Sequence, residues 1–127
     1  MLRRHVAAAV LLTLALALPA PALARDGDVR VEGACGRGAS SELRLRAKDG
    51  AIRVELEVDS RRTGERWRVV LVHERRVAWR GRLRTRSGGS LRVRRSLPDF
   101  DGADQVSARA SGPRGNTCVA TGVVTGG

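Results

Sequence analysis

The chain has 127 residues, with 24 lysine or arginine residues against 13 aspartate or glutamate residues and a formal net charge of +11. A chain this short has room for one small hydrophobic core, and thus for one small domain. So basic a protein either contacts an anionic partner or carries a solvated basic surface.

The first 24 residues have the pattern of a secretory signal peptide. Arg3 and Arg4 precede an apolar run from Val6 to Leu18, and small residues lead to Ala24. The run is shorter than the roughly 20 residues of a bilayer-spanning helix. We therefore predict cleavage after Ala24 and a secreted protein with no membrane span after cleavage. The general secretory route is the default, while the arginine pair leaves twin-arginine export open.

The mature chain, residues 25–127, is expected to form a single domain. Its two cysteines, Cys35 and Cys118, lie near its two ends. An even pair in an oxidising compartment indicates one disulfide. A redox motif would keep two cysteines close in sequence, and a metal site would need more ligands. We predict a structural Cys35–Cys118 disulfide and no metal or cofactor.

Period-two alternation of apolar and polar residues dominates the mature chain, and no long helical stripe interrupts it. It predicts eight strands at residues 28–35, 41–48, 51–60, 66–74, 77–86, 90–96, 105–111 and 117–124. Asp49-Gly50 is the strongest hairpin turn. Apolar residues on both faces from Val69 to Val72 indicate a central fourth strand. In the fifth strand we expect the side chains of Val77, Trp79, Leu83 and Thr85 to face the core.

The order of these features resembles that of immunoglobulin-like and fibronectin-type-III-like domains. A tryptophan (Trp67) lies on a hairpin strand, followed by "GGSLRV", "LPDFDGADQVSARASG" and a last strand, so that the resemblance covers residues 41–124. It implies an all-β, immunoglobulin-like antiparallel β-sandwich of about seven or eight strands with one disulfide. The layout is also similar to that of small uncharacterised secreted proteins of high-GC Gram-positive bacteria. The chain departs from immunoglobulin domains in lacking a tyrosine corner and in placing its cysteines on an added first strand and the last strand.

Arginines alternate with apolar residues in "AWRGRLRTRSGGSLRVRR", residues 78–95, and no acid occurs from Arg75 to Pro98. The alternation predicts an outward, anion-binding set made of Arg80, Arg82, Arg84, Arg86, Arg92 and Arg94. A solvated sheet face is the alternative, because Glu55, Glu57 and Asp59 on the third strand are available to pair with some of these arginines.

The residues give less support to nucleic-acid binding, catalysis or calcium binding. Single-strand nucleic-acid binders stack bases on aromatics, which are scarce here, so we predict no specific nucleic-acid binding. His73 is the one histidine of the mature chain and lies on an apolar strand, without a nucleophile motif, so no catalytic residue and no enzyme are predicted. "DFDGAD" places Asp99, Asp101 and Asp104 around a glycine; a strand corner is favoured, and calcium binding stays open.

Together these observations predict a secreted, monomeric, non-catalytic binding or adhesion module that contacts an anionic cell-wall polymer or an acidic protein. Two alternatives remain open. One is a small-ligand carrier similar to chromoprotein apoproteins, and the other is a purely structural domain.

Overall fold

The computed structural model describes residues 28–125, which form eight β-strands. These are β1 (Asp28–Cys35), β2 (Ser40–Lys48), β3 (Ala51–Asp59), β4 (Arg66–His73), β5 (Arg76–Arg84), β6 (Ser90–Pro98), β7 (Ala103–Ser111) and β8 (Thr117–Thr125). All eight predicted strands are confirmed, with ends that differ by at most two residues. The described residues include no helix long and apolar enough to cross a membrane. The signal-peptide prediction falls on residues 1–24, outside the described part.

The strands form one antiparallel sheet in the order β5-β4-β7-β8-β1-β2-β3-β6. β1 links the two halves of this sheet, because its first residues pair with β2 and its last two, Ala34 and Cys35, pair with β8. β5 and β6 lie at the two ends of the order yet contact each other. The sheet is therefore nearly closed, like a barrel, and the fold is all-β.

Two-residue turns close two of the hairpins. Asp49 and Gly50 have φ of 54° and 73° between the paired residues Lys48 and Ala51, which confirms the predicted Asp-Gly hairpin. Glu74 and Arg75 have φ of 48° and 65°, a left-handed conformation that residues other than glycine rarely adopt. Positive φ at both central residues gives each turn a twist that matches the right-handed twist of the strands it joins.

The core fills the inside of the curled sheet. Alternate residues of every long strand point inward, and Trp67 is the largest side chain among them, only 1% exposed. β4 pairs with β5 on one side and β7 on the other, which confirms the prediction that it is central. Its apolar outward residues, Val70 and Val72, are half-buried by those neighbours.

One inward prediction in β5 is wrong. Thr85 is buried and Trp79 and Leu83 are half-buried against the core as predicted, but Val77 is 49% exposed. The pairing of β4 with β5 shifts register beside Leu71, so that Val77 stands opposite the outward Val72. The bulged residue reverses the alternation at this end of β5.

A disulfide joins Cys35 at the end of β1 to Cys118 near the start of β8, with 4.1 Å between the Cα atoms. The predicted disulfide is thus confirmed, and it joins the first and last strands as expected. It fixes β1 at the point where the strand changes partner from β2 to β8.

Candidate anion-binding face

Outward arginines of three neighbouring strands lie together on one side of the sheet. The register sets Arg66 opposite Arg84 and Arg68 opposite Arg82 across β4 and β5. In the next row, Val70 of β4 lies opposite Arg80 of β5 on one side and opposite Arg109 of β7 on the other. We call this set the basic face: Arg66, Arg68, Arg80, Arg82, Arg84 and Arg109.

No acid neutralises the basic face among residues 28–125. The outward positions of β4, β5, β7 and β8 carry only arginines, valines, small residues and hydroxyl or amide side chains. Within the described part, none of the six arginines lies within 4.0 Å of a carboxylate oxygen. Directly opposed like charges destabilise a sheet by some tenths of a kcal/mol per pair. The free protein therefore bears an electrostatic cost on this face.

The outward face of β1, β2, β3 and β6, here called the mixed-charge face, is organised differently. Arg92 of β6 lies 2.8 Å from a carboxylate oxygen of Glu57 and 3.4 Å from one of Glu55, both on β3. Arg94 also pairs with Glu55, at 3.5 Å. Hydrogen bonding to Glu57, with the charges of Glu57 and Glu55, raises the pKa of Arg92. The arginines of this face are largely neutralised by neighbours.

Two acids also lie directly opposite each other on the mixed-charge face, but arginines lie next to them. Glu42 faces Glu57 across β2 and β3, and the hydrogen bond from Arg44 holds the pKa of Glu42 below its usual value. Arg30 of β1 adds a second cation 3.4 Å from Glu42. The difference between the two faces is thus the supply of acids, not the number of arginines.

The structure divides the six arginines of the predicted anion-binding set. Arg80, Arg82 and Arg84 lie on the basic face, whereas Arg92 and Arg94 lie on the mixed-charge face. Arg86, the last residue of the predicted fifth strand, is exposed in the turn between β5 and β6, because β5 ends at Arg84. The alternation of residues showed that each arginine points outward, but not that two different faces were involved.

Three arginines of the basic face were missed from the sequence: Arg66, Arg68 and Arg109. The alternation in "RWRVV" marks the first two as outward residues, and that in "QVSARAS" marks the third. Only the pairing of β4 with β5 and with β7 brings them beside Arg82 and Arg80. Pairing between distant strands is not encoded in local alternation.

The three aspartates of "DFDGAD" differ in their burial. Asp101 is exposed, Asp99 is half-buried, and Asp104 is completely buried beside His73. His73, predicted as a strand residue without a site role, is 4% exposed and its Nε2 lies 2.7 Å from Oδ1 of Asp104. These residues form a second cluster, far along the strands from the disulfide.

Depressions on the described surface are open, and charged side chains contribute to their lining. One of about 540 Å³ is lined by Arg68, Val70, Arg80, Gly81 and Arg82 of the basic face. Another, of about 630 Å³, lies near the disulfide and is lined by residues that include Glu32, Glu42, Arg44, Glu57 and Asp59. Apolar small molecules are held by largely apolar cavities, so these depressions suit ionic ligands better.

No family model, curated protein or solved structure matches this chain.

Proposed function

We propose that this protein is a secreted, non-catalytic binding module that holds an anionic cell-wall polymer on its basic face. The observation that carries the proposal is the row of opposed arginine pairs, Arg66 with Arg84 and Arg68 with Arg82, on a face without acids in the described residues. A protein with no use for this face would lower its repulsion by mixing charges, as the mixed-charge face does. An anionic partner removes the same repulsion on binding.

A polymer with repeated phosphates suits this face better than a single small anion. The arginines are spread over three strands, about 4.8 Å apart, and recur about every 6.8 Å along β4 and β5. Guanidinium groups bind phosphate oxygens with two parallel hydrogen bonds. A flat array of such groups without an enclosing cavity contacts several successive phosphates of one chain.

The finer fold assignment is part of the proposal. The pairings β2–β3–β6 and β4–β7–β8 correspond to those of strands A-B-E and C-F-G in immunoglobulin-like sandwiches. β5 then extends the second sheet beside β4, and β1 is an added strand. These pairings favour an immunoglobulin-like or fibronectin-type-III-like sandwich, a fold that displays binding surfaces in many unrelated proteins.

Secretion is supported by the disulfide, because such bonds persist in oxidising compartments outside the cytosol. Outside the cell, the abundant polyanions are wall polymers rather than nucleic acids. That location favours a wall polymer as the partner of the basic face.

Two triple variants with the same change in net charge test the proposal. The first is Arg68→Gln/Arg82→Gln/Arg109→Gln on the basic face, and the second is Arg30→Gln/Arg46→Gln/Arg94→Gln on the mixed-charge face. Binding of a purified glycerol-phosphate teichoic acid is measured by titration calorimetry over a range of salt concentrations. The wild type is expected to lose affinity steeply with salt, since counterions are released from the polymer on binding.

The basic-face variant should bind weakly, with a slope of log affinity against log salt that is smaller by about 2 to 3. The mixed-charge variant should bind nearly as the wild type does. Equal losses in both variants would show that net charge alone governs the interaction, and would overturn the assignment of the face. Absence of binding by the wild type would overturn the choice of partner.

A further inference from the structure

The cluster around His73 lies where three parts of the chain converge at one end of the sheet. His73 ends β4 and Glu74 begins the turn that follows it, while Asp104 is the second residue of β7. Asp99 and Phe100 come from the connection between β6 and β7. Donor atoms of His73, Glu74 and Asp104 all lie within 4.8 Å of one another.

The buried carboxylate of Asp104 has one oxygen in use and one without a partner. Its Oδ1 lies 2.7 Å from Nε2 of His73 and accepts a hydrogen bond from the backbone N–H of Phe100 at 3.2 Å. Its Oδ2 has no hydrogen-bond partner among the described residues, although the side chain is 0% exposed. An unsatisfied buried acceptor destabilises the folded protein, and more so when it is charged.

Asp99 adds a second orphaned oxygen, next to Asp104 and outside the group formed by His73, Glu74 and Asp104. Its Oδ1 is buried and unpartnered within residues 28–125. The carboxyl of Asp99 lies in contact with that of Asp104.

The position of Glu74 is held by the backbone. Its N–H donates to the carbonyl of Gln105 at 3.0 Å, and its side-chain Oε1 accepts a hydrogen bond from the Gln105 N–H. These two bonds keep Glu74 in its left-handed conformation, with φ of 48°. The hairpin turn between β4 and β5 requires this conformation.

The ring of Phe100 covers one side of the cluster. It is parallel to the His73 ring, at 4.5 Å between centroids and 2° between planes, and the Phe100 side chain is itself 49% exposed. His73 is thereby fixed in orientation. Glu74, by contrast, is exposed.

We propose that His73, Glu74 and Asp104, completed by Asp99, bind one divalent transition-metal ion, with zinc as the representative ion. The ion takes the place of the Nε2 proton of His73 and satisfies the orphaned oxygens of both aspartates. This site is independent of the basic face and of its polymer.

The donor set selects the class of metal. Imidazole nitrogen with carboxylate oxygens suits zinc and its first-row neighbours, whereas calcium prefers six to eight oxygens. Atoms bound to one zinc ion at about 2.1 Å lie about 3.4 Å apart in tetrahedral geometry. The observed separations, from 2.7 Å to at most 4.8 Å, bracket that value.

The test uses the full chain without a histidine tag, and the probes are Zn²⁺ and Ca²⁺. Titration calorimetry is expected to find one Zn²⁺ per chain and Ca²⁺ binding at least about tenfold weaker. The variants Glu74→Gln and Asp99→Asn should each lower Zn²⁺ affinity about tenfold or more. Asp101→Asn is the matched control, because it makes the same change in charge in the same loop and should alter affinity less than about twofold.

An NMR measurement on His73 keeps the proposal testable even if the ligand variants fail to fold. The chain has two histidines, His5 and His73, and His5→Asn identifies the imidazole resonances of His73 in the NMR spectrum. Those resonances should shift on addition of one equivalent of Zn²⁺. An unchanged His73 spectrum with no calorimetric binding would overturn the proposal. Equal losses in Asp101→Asn and Asp99→Asn would also overturn it, in favour of an acidic loop.

Discussion

The guanidinium of Arg95 lies over the indole ring of Trp79, with 4.5 Å between the Cζ atom and the ring centroid. Arg95 belongs to β6 and Trp79 to β5, the two strands at the ends of the sheet order. The ring also fills the space beside Gly81, where an added Cβ would lie 2.2 Å from it. This contact covers the core where the sheet is not closed by hydrogen bonds between strands.

Arg95→Ala should therefore lower the free energy of unfolding by about 1 kcal/mol, through the lost cation–π contact and the lost cover of the arginine stem. Acrylamide quenching of tryptophan fluorescence should increase as Trp79 becomes accessible, since Trp67 is fully buried. Arg94→Ala, one residue away on the outward side, is the control. Quenching that rises equally in both variants would contradict a specific role for Arg95.

Arg68→Glu should stabilise the free protein by about 0.5 kcal/mol at low salt, because it places an acid directly opposite Arg82. The gain should fade in 1 M NaCl, where surface charges are screened. The same substitution should weaken teichoic-acid binding. Stability is measured by urea unfolding and binding by calorimetry.

The control for that substitution is Arg44→Glu on the mixed-charge face, which removes the partner of Glu42 and adds another acid beside it. We expect it to destabilise the protein. If Arg68→Glu also lowers the free energy of unfolding, Arg68 has a structural role. Repulsion between the opposed arginines then does not destabilise the free protein.

Removal of the disulfide by Cys35→Ser/Cys118→Ser should lower the free energy of unfolding by about 4.5 kcal/mol, on the chain-entropy account of a loop this long. The two cysteines are 83 positions apart in the sequence. Urea unfolding of the double variant and of the reduced wild type should give the same loss. A loss below about 2 kcal/mol in both would mean that the unlinked chain keeps its ends together without the bond.

Stability should fall in acid because of Glu65 and Arg114. The Nε of Arg114 donates to Glu65 at 2.8 Å, and this hydrogen bond is the largest cause that holds the pKa of Glu65 below its ordinary value of 4.5. A carboxyl whose folded pKa is depressed contributes stability that is fully present above its unfolded pKa. That stability is lost as the pH falls through the lower folded value.

Thermal unfolding followed from pH 7 to pH 2 checks this prediction. The wild type should lose stability below about pH 4.5, and Arg114→Gln should flatten that part of the profile. Arg94→Gln is the control, because its partner Glu55 is more exposed. Parallel profiles for the wild type and Arg114→Gln would contradict the assignment.

Much of the fold could be predicted because its information is local. Alternation along "SELRLRAK" and "AIRVELEVD" assigns an inside and an outside to each residue, and Asp49-Gly50 joins the two strands in register. The disulfide could be predicted from the number of cysteines and from the oxidising compartment that the first 24 residues predict. The exposure of Val77 could not be predicted, since it depends on a bulge set by the partner strand.

The sequence by itself determined that each arginine of residues 80–94 points away from the core, because side chains alternate along any strand. The tertiary structure alone decided their neighbours: Arg82 meets Arg68, while Arg92 meets Glu57. It also brought His73 to Asp104 across 31 positions of sequence. Such pairings depend on strand order and register, which are set by packing of the whole sheet and not by the residues of one strand.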